Sequence, residues 1–321
     1  MKVQILLATY NPDLDQLKKQ LASINSQSEK DIELLCCDDC SANQAEVHAA
    51  LKACITEFKW TFLRNEKNSG CNRTFEKLIS HGTARYFAFC DQDDVWHRDK
   101  IRELLALMEA ENPVLVYSDL QVIDKDDRVV APSLRSIRKR LSHLSGAGLW
   151  RRFLRRNSIT GCTMLVEGAA ARSALPFPPE SVYIWDHWTS IWAAYKGTIA
   201  YYPKPTISYR VHAGNLVGAK KLVGIQDRET YIANRIDKEL VSLQFALGRL
   251  EADKQAGGEI ASLISRVYAR RKFLAGPTIA GFSEFLMSCF RDPLLLLFEF
   301  VLAVSPDNGS LIIGIARKSL F

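Results

Sequence analysis

The sequence predicts an α/β fold in which a mostly parallel, doubly wound sheet is flanked by helices and followed by a helical carboxy-terminal region. Three observations predict this fold. Short apolar runs typical of buried strands alternate with helical apolar spacing through residues 3–117. Polar residues directly follow several of the strand-like runs, and beyond residue 222 only helical spacing remains. Alternating strands and helices favour a parallel sheet, because each helix carries the chain back across the sheet.

The predicted elements follow one another in a regular order. The strands are predicted at residues 3–8, 31–37, 60–63, 86–90 and 114–117, and the helices between them at residues 14–24, 47–58, 72–81 and 101–108. A hairpin that turns at residues 125–127 is predicted for residues 122–130. In the carboxy-terminal region, apolar spacing predicts one helix over residues 232–250 and a second over residues 260–267.

Length and apolar content divide the chain into two parts. A chain of 321 residues is long enough for one large α/β domain and an appended element. We predict an α/β domain over residues 1–221 and a helical region over residues 222–321. The apolar run at residues 293–304 is shorter than the roughly 20 residues needed to span a bilayer. We therefore expect it to pack on the protein, on a second subunit of a homo-oligomer, or in the membrane interface.

The amino terminus does not have the layout of a signal peptide. Its apolar run is short, carries no cleavage-type site and leads directly into Asn11 and Pro12. We expect this run to be the first core strand of a cytoplasmic protein.

Carboxylates gather where predicted strands end. Asp38 and Asp39 follow the second strand, and Asp91, Asp93 and Asp94 follow a later one. Carboxylates clustered in this way repel one another unless a cation or a proton compensates. Hard oxygen ligands suit Mg²⁺ or Mn²⁺, and ligands of doubly wound sheets bind at the carboxyl ends of strands. The sequence therefore predicts a Mg²⁺ or Mn²⁺ site that faces phosphate at this edge of the sheet.

Glycine is absent from the chain before Gly70. Dinucleotide fingerprints and P-loops both need glycines directly after the first strand. Their absence excludes an ordinary NAD site and a P-loop ATPase, and it disfavours sugar nucleotidyltransferases, which place a glycine-rich loop there.

The net charge of +6 is concentrated in one stretch. Between Asp127 and Glu167 the chain has no acidic residue but nine arginines and lysines. One interpretation is a solvated surface loop. The other is an electropositive flap that binds phosphate groups or an anionic membrane surface. No nucleic-acid-binding motif accompanies the charge, so we expect no nucleic-acid partner.

Short polar motifs follow one another in a fixed order along the first 220 residues. They are Thr-Tyr-Asn at 9–11, Asp-Asp-x-Ser at 38–41, Asp-x-Asp-Asp-x-Trp at 91–96, Trp-Asp-His-Trp at 185–188 and Tyr-Arg-x-His at 209–212. This order resembles family 2 glycosyltransferases of the GT-A fold, and most closely the bacterial rhamnosyltransferase-like members that build O-antigens and capsules. The family commonly has a glycine where this chain has Cys40, so the turn there must form without it.

The resemblance assigns the nucleotide pocket to the ends of the first two strands. Thr9, Tyr10 and Asn11 would line it. Asp38 or Asp39 would accept a hydrogen bond from the N3–H of a uracil or thymine ring.

The resemblance also implies a metal site. Asp91 and Asp93 correspond to the family's DXD motif, with Asp93 the expected direct ligand, and Asp91 would also help to bind the donor. His212 would contact the metal or the diphosphate. Asn68 and Gly70, together with Asn72, resemble a family segment near the base and ribose.

The later motifs would complete the site. Gly161 and Cys162 resemble the loop under the donor sugar, and Trp185 would lie beside it. Asp186 corresponds to the general base of the family, although its sequence position also suits a helix N-cap. Arg210 would bind the donor diphosphate.

The resemblance implies an inverting, metal-dependent sugar transfer by the domain at residues 1–221. The donor would be a UDP- or dTDP-sugar, and the acceptor a glycan or a polyprenyl-diphosphate-linked molecule of bacterial surface polysaccharide synthesis. Such an enzyme would work in the cytoplasm, peripherally at the inner membrane. Two alternatives remain at this point, namely a sugar nucleotidyltransferase and a non-catalytic nucleotide-sugar-binding subunit on the same fold.

Overall fold

A computed structural model of the protein describes residues 2–138, 141–211, 224–289, 292–305 and 313–314. The chain divides into two compact units, Met1–Asn215 and Leu216–Phe321. The domain boundary expected between residues 221 and 222 stays a prediction.

The first unit alternates strands and helices. Its strands are β1 (Val3–Thr9), β2 (Ile32–Asp38), β3 (Trp60–Arg64), β4 (Tyr86–Cys90), β5 (Val95–Trp96), β6 (Leu115–Ile123), β7 (Val129–Ala131), β8 (Met164–Glu167) and β9 (Ile199–Arg210). Its helices are α1 (Leu14–Asn25), α2 (Gln44–Cys54), α3 (Cys71–His81), α4 (Lys100–Glu111), α5 (Leu134–Ile137), α6 (Trp150–Phe153), α7 (Gly168–Ser173) and α8 (Trp185–Lys196).

The strands form one mixed sheet in the order β3-β2-β1-β4-β8-β6-β9-β5, with β7 paired to β6. Strands β3, β2, β1 and β4 are mutually parallel, as the sequence predicts. β8 then lies between β4 and β6 and runs antiparallel to both. The expectation of a mostly parallel sheet therefore holds for the first half and not for the second, where only the β6–β9 pair is parallel among the described strands. The four residues of β8 carry too little periodicity to predict the change of direction.

The parallel half places the polar strand ends side by side. Thr9 at the end of β1 is in register with Asp38 at the end of β2. Leu7 of β1 is in register with Cys90, the last residue of β4. All three strands are buried, and the polar residues Thr9 and Asp38 come at the carboxyl ends of β1 and β2.

Cys40 adopts a left-handed backbone conformation with φ of +66°. The turn after β2 therefore keeps the geometry that glycine favours, although a cysteine occupies it. The left-handed region costs a residue with a Cβ about 1–2 kcal/mol, and glycine loses about 0.5–1 kcal/mol through the entropy of the unfolded chain.

We expect Cys40→Gly to raise the free energy of unfolding by up to about 1 kcal/mol, because the relief of backbone strain exceeds the entropic loss. Urea unfolding measures this difference. Cys40→Ala is the matched control, since it removes the same thiol but keeps the strain. A stabilisation by alanine equal to that by glycine would show that the thiol, and not the backbone, is unfavourable.

The second unit is helical, as predicted. Its helices are α9 (Arg228–Tyr231), α10 (Lys238–Leu250), α11 (Lys254–Ala275), α12 (Ile279–Cys289) and α13 (Pro293–Val304), and a π-helical segment (Ile232–Asp237) joins α9 to α10. The apolar run at residues 293–304 forms α13 from end to end. No helix within the described ranges is both long enough and apolar enough to cross a membrane.

A buried ion pair joins α11 to α13. Arg270 donates through Nε to Glu299 Oε2 at 2.9 Å and through Nη2 to Glu299 Oε1 at 2.6 Å. Glu239 accepts from Arg270 Nη1 at 2.9 Å, and the hydroxyl of Tyr231 donates to Glu299 at 2.7 Å. The carboxylate of Glu299 is fully buried, so its hydrogen bonds replace those it would make with water.

We expect Glu299→Ala to lower the free energy of unfolding by about 3–5 kcal/mol, because it leaves the buried guanidinium without its main partner. Thermal and urea unfolding of the full chain measure the loss. The double variant Arg270→Met with Glu299→Leu is the control, and it should recover most of that loss because both charges are removed together. A double variant as unstable as Glu299→Ala would mean that packing volume, and not the uncompensated charge, causes the effect.

Candidate active site

Asp38 ties together the loops that follow β1 and β2. Its Oδ2 accepts from Thr9 Oγ1 at 3.0 Å and from Ser41 Oγ at 2.6 Å, and its Oδ1 accepts from the Ser41 backbone at 2.8 Å. The carboxylate of Asp38 has no exposed surface, and Thr9 is 2% exposed. Thr9 and Asp38, which were predicted to line the nucleotide pocket, are therefore buried and hydrogen-bonded to each other.

Asp39 holds the loop that precedes α3. Its Oδ1 accepts from Asn65 Nδ2 at 2.7 Å and from the Ser69 backbone at 2.9 Å. Its Oδ2 accepts from the Gly70 backbone at 2.9 Å, which leaves one lone pair of that oxygen for a further donor. Asp38 likewise accepts two hydrogen bonds at Oδ2 and one at Oδ1, so the choice between the two aspartates for the contact with a ring N3–H stays open.

Gln92 fastens the end of β1 to the acidic loop after β4. Its side-chain Oε1 accepts from the Tyr10 backbone N–H at 2.8 Å, and its Nε2 donates to the Tyr10 carbonyl at 3.3 Å. Asn11 accepts through Oδ1 from Ala42 N at 2.8 Å. The ring of Tyr10 remains 48% exposed, so it presents an aromatic face at the carboxyl edge of the sheet. No pattern in the sequence predicts this contact of Gln92 with the Tyr10 backbone.

Two residues before α3 were predicted to approach the base and ribose. Asn68 is exposed. Gly70 has a φ of +84°, and a Cβ there would lie 2.8 Å from Glu180 Oε1. The backbone conformation therefore favours glycine at residue 70, and a larger residue would also displace the carboxylate of Glu180.

The three carboxylates after β4 differ in burial. Asp91 and Asp93 are half-buried, whereas Asp94 is fully buried and accepts from the Arg210 backbone N–H at 2.9 Å. Burial, followed by the negative charges of Asp93 and Asp186, raises the pKa of Asp91 to about 7. Burial and the charges of Asp91 and Asp93 raise the pKa of Asp94 well above its usual value. The negative charges of these carboxylates are therefore not fully offset by nearby positive groups.

This donor set fits a divalent cation in part. Ligand atoms of Asp91, Asp94 and Cys162 lie within 4.8 Å of one another. The thiol of Cys162 is fully buried and burial raises its pKa, so it is a poor ligand for a hard cation. Asp91 and Asp93 are partly exposed and could meet a cation bound to phosphate oxygens. His212, the third expected ligand, lies outside the described residues.

A buried lysine beside this cluster was missed by the sequence analysis. Lys100 has no exposed surface, donates to the Cys162 carbonyl and lies 3.6 Å above the centre of the Trp96 ring. Burial lowers the pKa of Lys100 to about 8, against the opposing influence of Cys162, Cys90 and the acidic cluster. The burial of Lys100 could have been predicted from the sequence, because this lysine lies on the apolar face of α4 with Ile101 and Leu104.

Arg210 corrects a prediction. Its guanidinium was expected to bind the donor diphosphate, but the side chain has no exposed surface. It donates through Nε to the Asp93 carbonyl at 2.8 Å and through Nη1 to the Asp124 carbonyl at 2.9 Å, and its Nη2 lies 2.5 Å from Asp127. Arg210 therefore holds the acidic loop against the β6–β7 turn and has no open face for a diphosphate.

Asp186 lies in the first turn of α8. The N-cap residue is Ile184, so the expected N-cap role of Asp186 is wrong by two residues. The Gly161 backbone donates to Asp186 Oδ2 at 3.3 Å, and Oδ1 receives no hydrogen bond from the described part of the chain. Burial raises the pKa of Asp186 to about 6, although backbone hydrogen bonds oppose the rise. A carboxylate with a raised pKa can accept a proton near neutral pH.

Gly161 and Trp185 pack against one another beside Asp186. The indole of Trp185 is 4% exposed, and its ring centre lies 4.0 Å from that of Phe75 and 4.7 Å from that of Phe89. A Cβ at Gly161 would lie 2.4 Å from indole carbons, so only glycine permits this approach. Trp185 and Cys162 were both expected near the donor sugar. Both side chains are buried, and Trp185 packs against Phe75 and Phe89.

Together, the fold and the site define a class of protein. An α/β sheet presents polar strand ends, an acidic cluster and one further carboxylate with a raised pKa along one edge. These features are typical of an enzyme that transfers a group from a nucleotide. The family model for glycosyl transferase family 2 matches residues 4–170, just over half of the chain. The chain belongs to this family, and the protein is a glycosyltransferase. The family assignment sets aside the nucleotidyltransferase and the non-catalytic subunit.

Curated relatives match part of the chain. The Escherichia coli UDP-Glc:alpha-D-GlcNAc-diphosphoundecaprenol beta-1,3-glucosyltransferase WfgD is 23% identical over 57% of this chain and 68% of its own length. A second Escherichia coli enzyme of the same description, WfaP, is 30% identical over 39% of this chain and 47% of its own length. The Bacillus subtilis putative teichuronic acid biosynthesis glycosyltransferase TuaG is 25% identical over 39% of this chain and 48% of its own length.

Solved structures with the same fold include S. aureus TarS. The structure of TarS residues 1–349 in complex with UDP-GlcNAc has a TM-score of 0.58 and 16% sequence identity, and it covers 95% of this chain and 82% of that chain. The structure of TarS residues 1–349 without a named ligand has a TM-score of 0.55. At this identity the similarity concerns the fold, and it confirms the predicted GT-A architecture.

Proposed function

We propose that the protein is an inverting, metal-dependent glycosyltransferase that moves a sugar from a UDP- or dTDP-sugar to a polyprenyl-diphosphate-linked acceptor. The observation that carries this proposal is the proximity of Asp186 to the acidic cluster. The Gly161 backbone donates to Asp186 Oδ2 at 3.3 Å. The thiol of the adjacent Cys162 lies within 4.8 Å of carboxylate oxygens of Asp91 and Asp94. The names of WfgD and WfaP, with their UDP-Glc donor and diphosphoundecaprenol acceptor, support this choice of substrates.

In the proposed reaction, an acceptor hydroxyl attacks C1 of the donor sugar and Asp186 takes its proton. The new C1–O bond forms as the bond from C1 to the diphosphate breaks, and the nucleoside diphosphate leaves. One carboxylate suffices because the leaving group needs no protonation. A Mg²⁺ or Mn²⁺ ion held by Asp91 and Asp93 would offset the charge of the leaving diphosphate.

Four arginines support an acceptor that carries a diphosphate. Arg151, Arg152, Arg155 and Arg156 are all exposed. Their segment is bound to the beginning of α8, because His187 Nε2 donates to the Phe153 carbonyl at 2.5 Å and the Tyr183 hydroxyl donates to the Leu154 carbonyl at 3.1 Å. The basic segment is thus attached to the residue that follows Asp186, where a diphosphate near the accepting sugar would gain charge-assisted hydrogen bonds.

A panel of UDP- and dTDP-sugars tests the proposal. Each donor is incubated with Mn²⁺ and with acceptor sugars that carry or lack a lipid diphosphate, and nucleoside diphosphate release is measured. We expect release from one donor that depends on the diphosphate-bearing acceptor. Equal rates with both acceptors would contradict the acceptor class, and an absence of release with every pair would contradict the transfer itself.

We also propose that the second unit contacts the cytoplasmic face of the bacterial inner membrane. The exposed residues of α13 are all apolar, namely Pro293, Leu294, Leu297 and Val304. An apolar face on a short helix can insert into the headgroup region of a bilayer. Flotation with anionic vesicles tests this contact, with Leu297→Asp as the disrupting variant and Val241→Asp on α10 as the exposed control. A dimer that Leu297→Asp dissociates, without vesicle binding, would indicate a subunit interface instead.

A further inference from the structure

Asn72 is a buried side chain whose whole amide group is used to hold one segment. It is the second residue of α3 and is 2% exposed. Its Nδ2 donates to the Pro178 carbonyl at 2.9 Å and to the Tyr183 carbonyl at 2.8 Å, and its Oδ1 accepts from the Trp185 backbone at 2.7 Å. All three partners lie in the chain that leads into α8. The resemblance placed Asn72 near the base and ribose, but none of these contacts faces a nucleotide.

The held segment has little regular structure of its own. Residues 174–184 between α7 and α8 form neither helix nor strand. A further bond fastens this segment, since Glu180 Oε1 accepts from the Asn72 backbone N–H at 2.9 Å. The side chain and the backbone of Asn72 therefore make three hydrogen bonds to this segment and a fourth to the first residue of α8.

One of these bonds caps the helix that carries Asp186. The first backbone N–H groups of a helix have no partner within the helix. Ile184, at the N-cap position of α8, has no side-chain oxygen to supply one. Asn72 accepts from the N–H of Trp185, the first residue of α8, and so provides the cap from another element. Asn72 therefore helps to fix the beginning of the helix that carries Asp186.

Asn72 is also connected to the nucleotide edge. It follows Gly70 by two residues, and the backbone N–H of Gly70 donates to Asp39. Asp39 in turn is held by Asn65, a second buried asparagine, which is 7% exposed. The beginning of α3 therefore links the end of β2 with the beginning of α8.

We propose that Asn72 is a positioning residue for the transfer reaction, which sets the distance between the carboxylate of Asp186 and the donor bound at the β1–β2 edge. This inference rests on the proposed role of Asp186 as the general base. A misplacement of about 1 Å at a reacting group costs on the order of a hundredfold in rate. The loss of Asn72 moves Asp186 without removing any group that touches the donor.

The test compares two buried asparagines. Asn72→Ala is expected to lower kcat per folded molecule by roughly 10- to 100-fold and to leave the Kd for UDP or dTDP, measured by calorimetry with Mn²⁺, within about twofold. Asn65→Ala, the matched control, removes a partner of Asp39 and is expected to raise that Kd more than it lowers kcat. Both variants lose a buried amide, so a general loss of folding would affect them alike. Thermal unfolding gives the folded fraction by which each kcat is corrected.

The outcomes separate this inference from the proposed function. An Asn72→Ala variant with the kcat of the wild type would overturn the positioning role, provided that Asp186→Asn is inactive in the same assay. A parallel loss of kcat and of nucleotide affinity in Asn72→Ala would also overturn it, because it would show a collapse of the whole edge. Full turnover by Asp186→Asn would instead remove the general base, and with it the proposed function.

Discussion

Asp186→Asn is expected to lower kcat by about a thousandfold, since general base catalysis contributes about 10²- to 10⁴-fold. The amide has the shape of the carboxylate and can still accept from the Gly161 backbone, but it cannot take a proton from the acceptor hydroxyl. Binding of UDP or dTDP with Mn²⁺ should remain unchanged in calorimetry, because no proposed donor contact involves Asp186. A variant that keeps more than a tenth of the wild-type kcat would exclude Asp186 as the base.

The same residue sets the expected pH dependence of turnover. Burial raises the pKa of Asp186 to about 6, and the base acts only when it is deprotonated. At saturating Mn²⁺, which keeps Asp91 deprotonated, wild-type kcat should therefore be low at pH 5, rise through pH 6 and level off above pH 7. The residual activity of Asp186→Asn should lack this rise, since the variant has no group to titrate at that residue. A wild-type rate that is constant from pH 5 to pH 8 would be incompatible with this assignment.

Asp93→Ala is expected to abolish the part of nucleotide binding that depends on Mn²⁺. The variant lacks one of the two partly exposed carboxylates proposed to hold the ion. Loss of a partner that only orients a metal ligand costs about 10- to 100-fold in metal affinity, so loss of a direct ligand should cost at least as much. Calorimetric titration of UDP or dTDP with and without Mn²⁺ measures the effect. The wild type in a chelating buffer should behave as the variant does in Mn²⁺.

Asp99→Ala is the matched control for this prediction. Asp99 lies shortly after the acidic loop, but its carboxylate pairs with Arg102 at 3.0 Å at the surface. It should bind nucleotide and Mn²⁺ as the wild type does. Metal-dependent binding that survives Asp93→Ala and disappears in Asp94→Asn would show that the buried set of Asp91, Asp94 and Cys162 holds the cation instead.

The parallel half of the fold and the site at its edge were predictable for a physical reason. Strands β1, β2 and β4 are buried on both faces, so they appear in the sequence as continuous apolar runs, and polar residues can follow only where burial ends. This is why Thr9, Asp38 and Asp91 could be assigned to one edge before the structure was known. The antiparallel strand β8 is short and lies far along the chain from its partners, so local periodicity carried no information about its direction.

The roles of Arg210, Lys100 and Asn72 could not be read from the sequence. Each depends on partners distant along the chain: Arg210 reaches the Asp93 carbonyl, Lys100 the Cys162 carbonyl, and Asn72 the Trp185 amide. A motif indicates that a polar residue is present, but not whether its hydrogen bonds go to a ligand or to the backbone. The side chains of Arg210 and Asn72 were both expected near the ligand, but they make hydrogen bonds to backbone groups and so support the site.

The stereochemistry of the product tests whether the sugar is transferred in a single displacement with Asp186 as the general base. A single general base at Asp186, without a second carboxylate acting as nucleophile, leads to one displacement at C1 and hence to inversion. Once the donor panel has identified a sugar, NMR of the new glycoside gives the configuration at its anomeric carbon. We predict a configuration opposite to that of the donor. A product with the configuration of the donor retained would require two displacements and would contradict the account of this site.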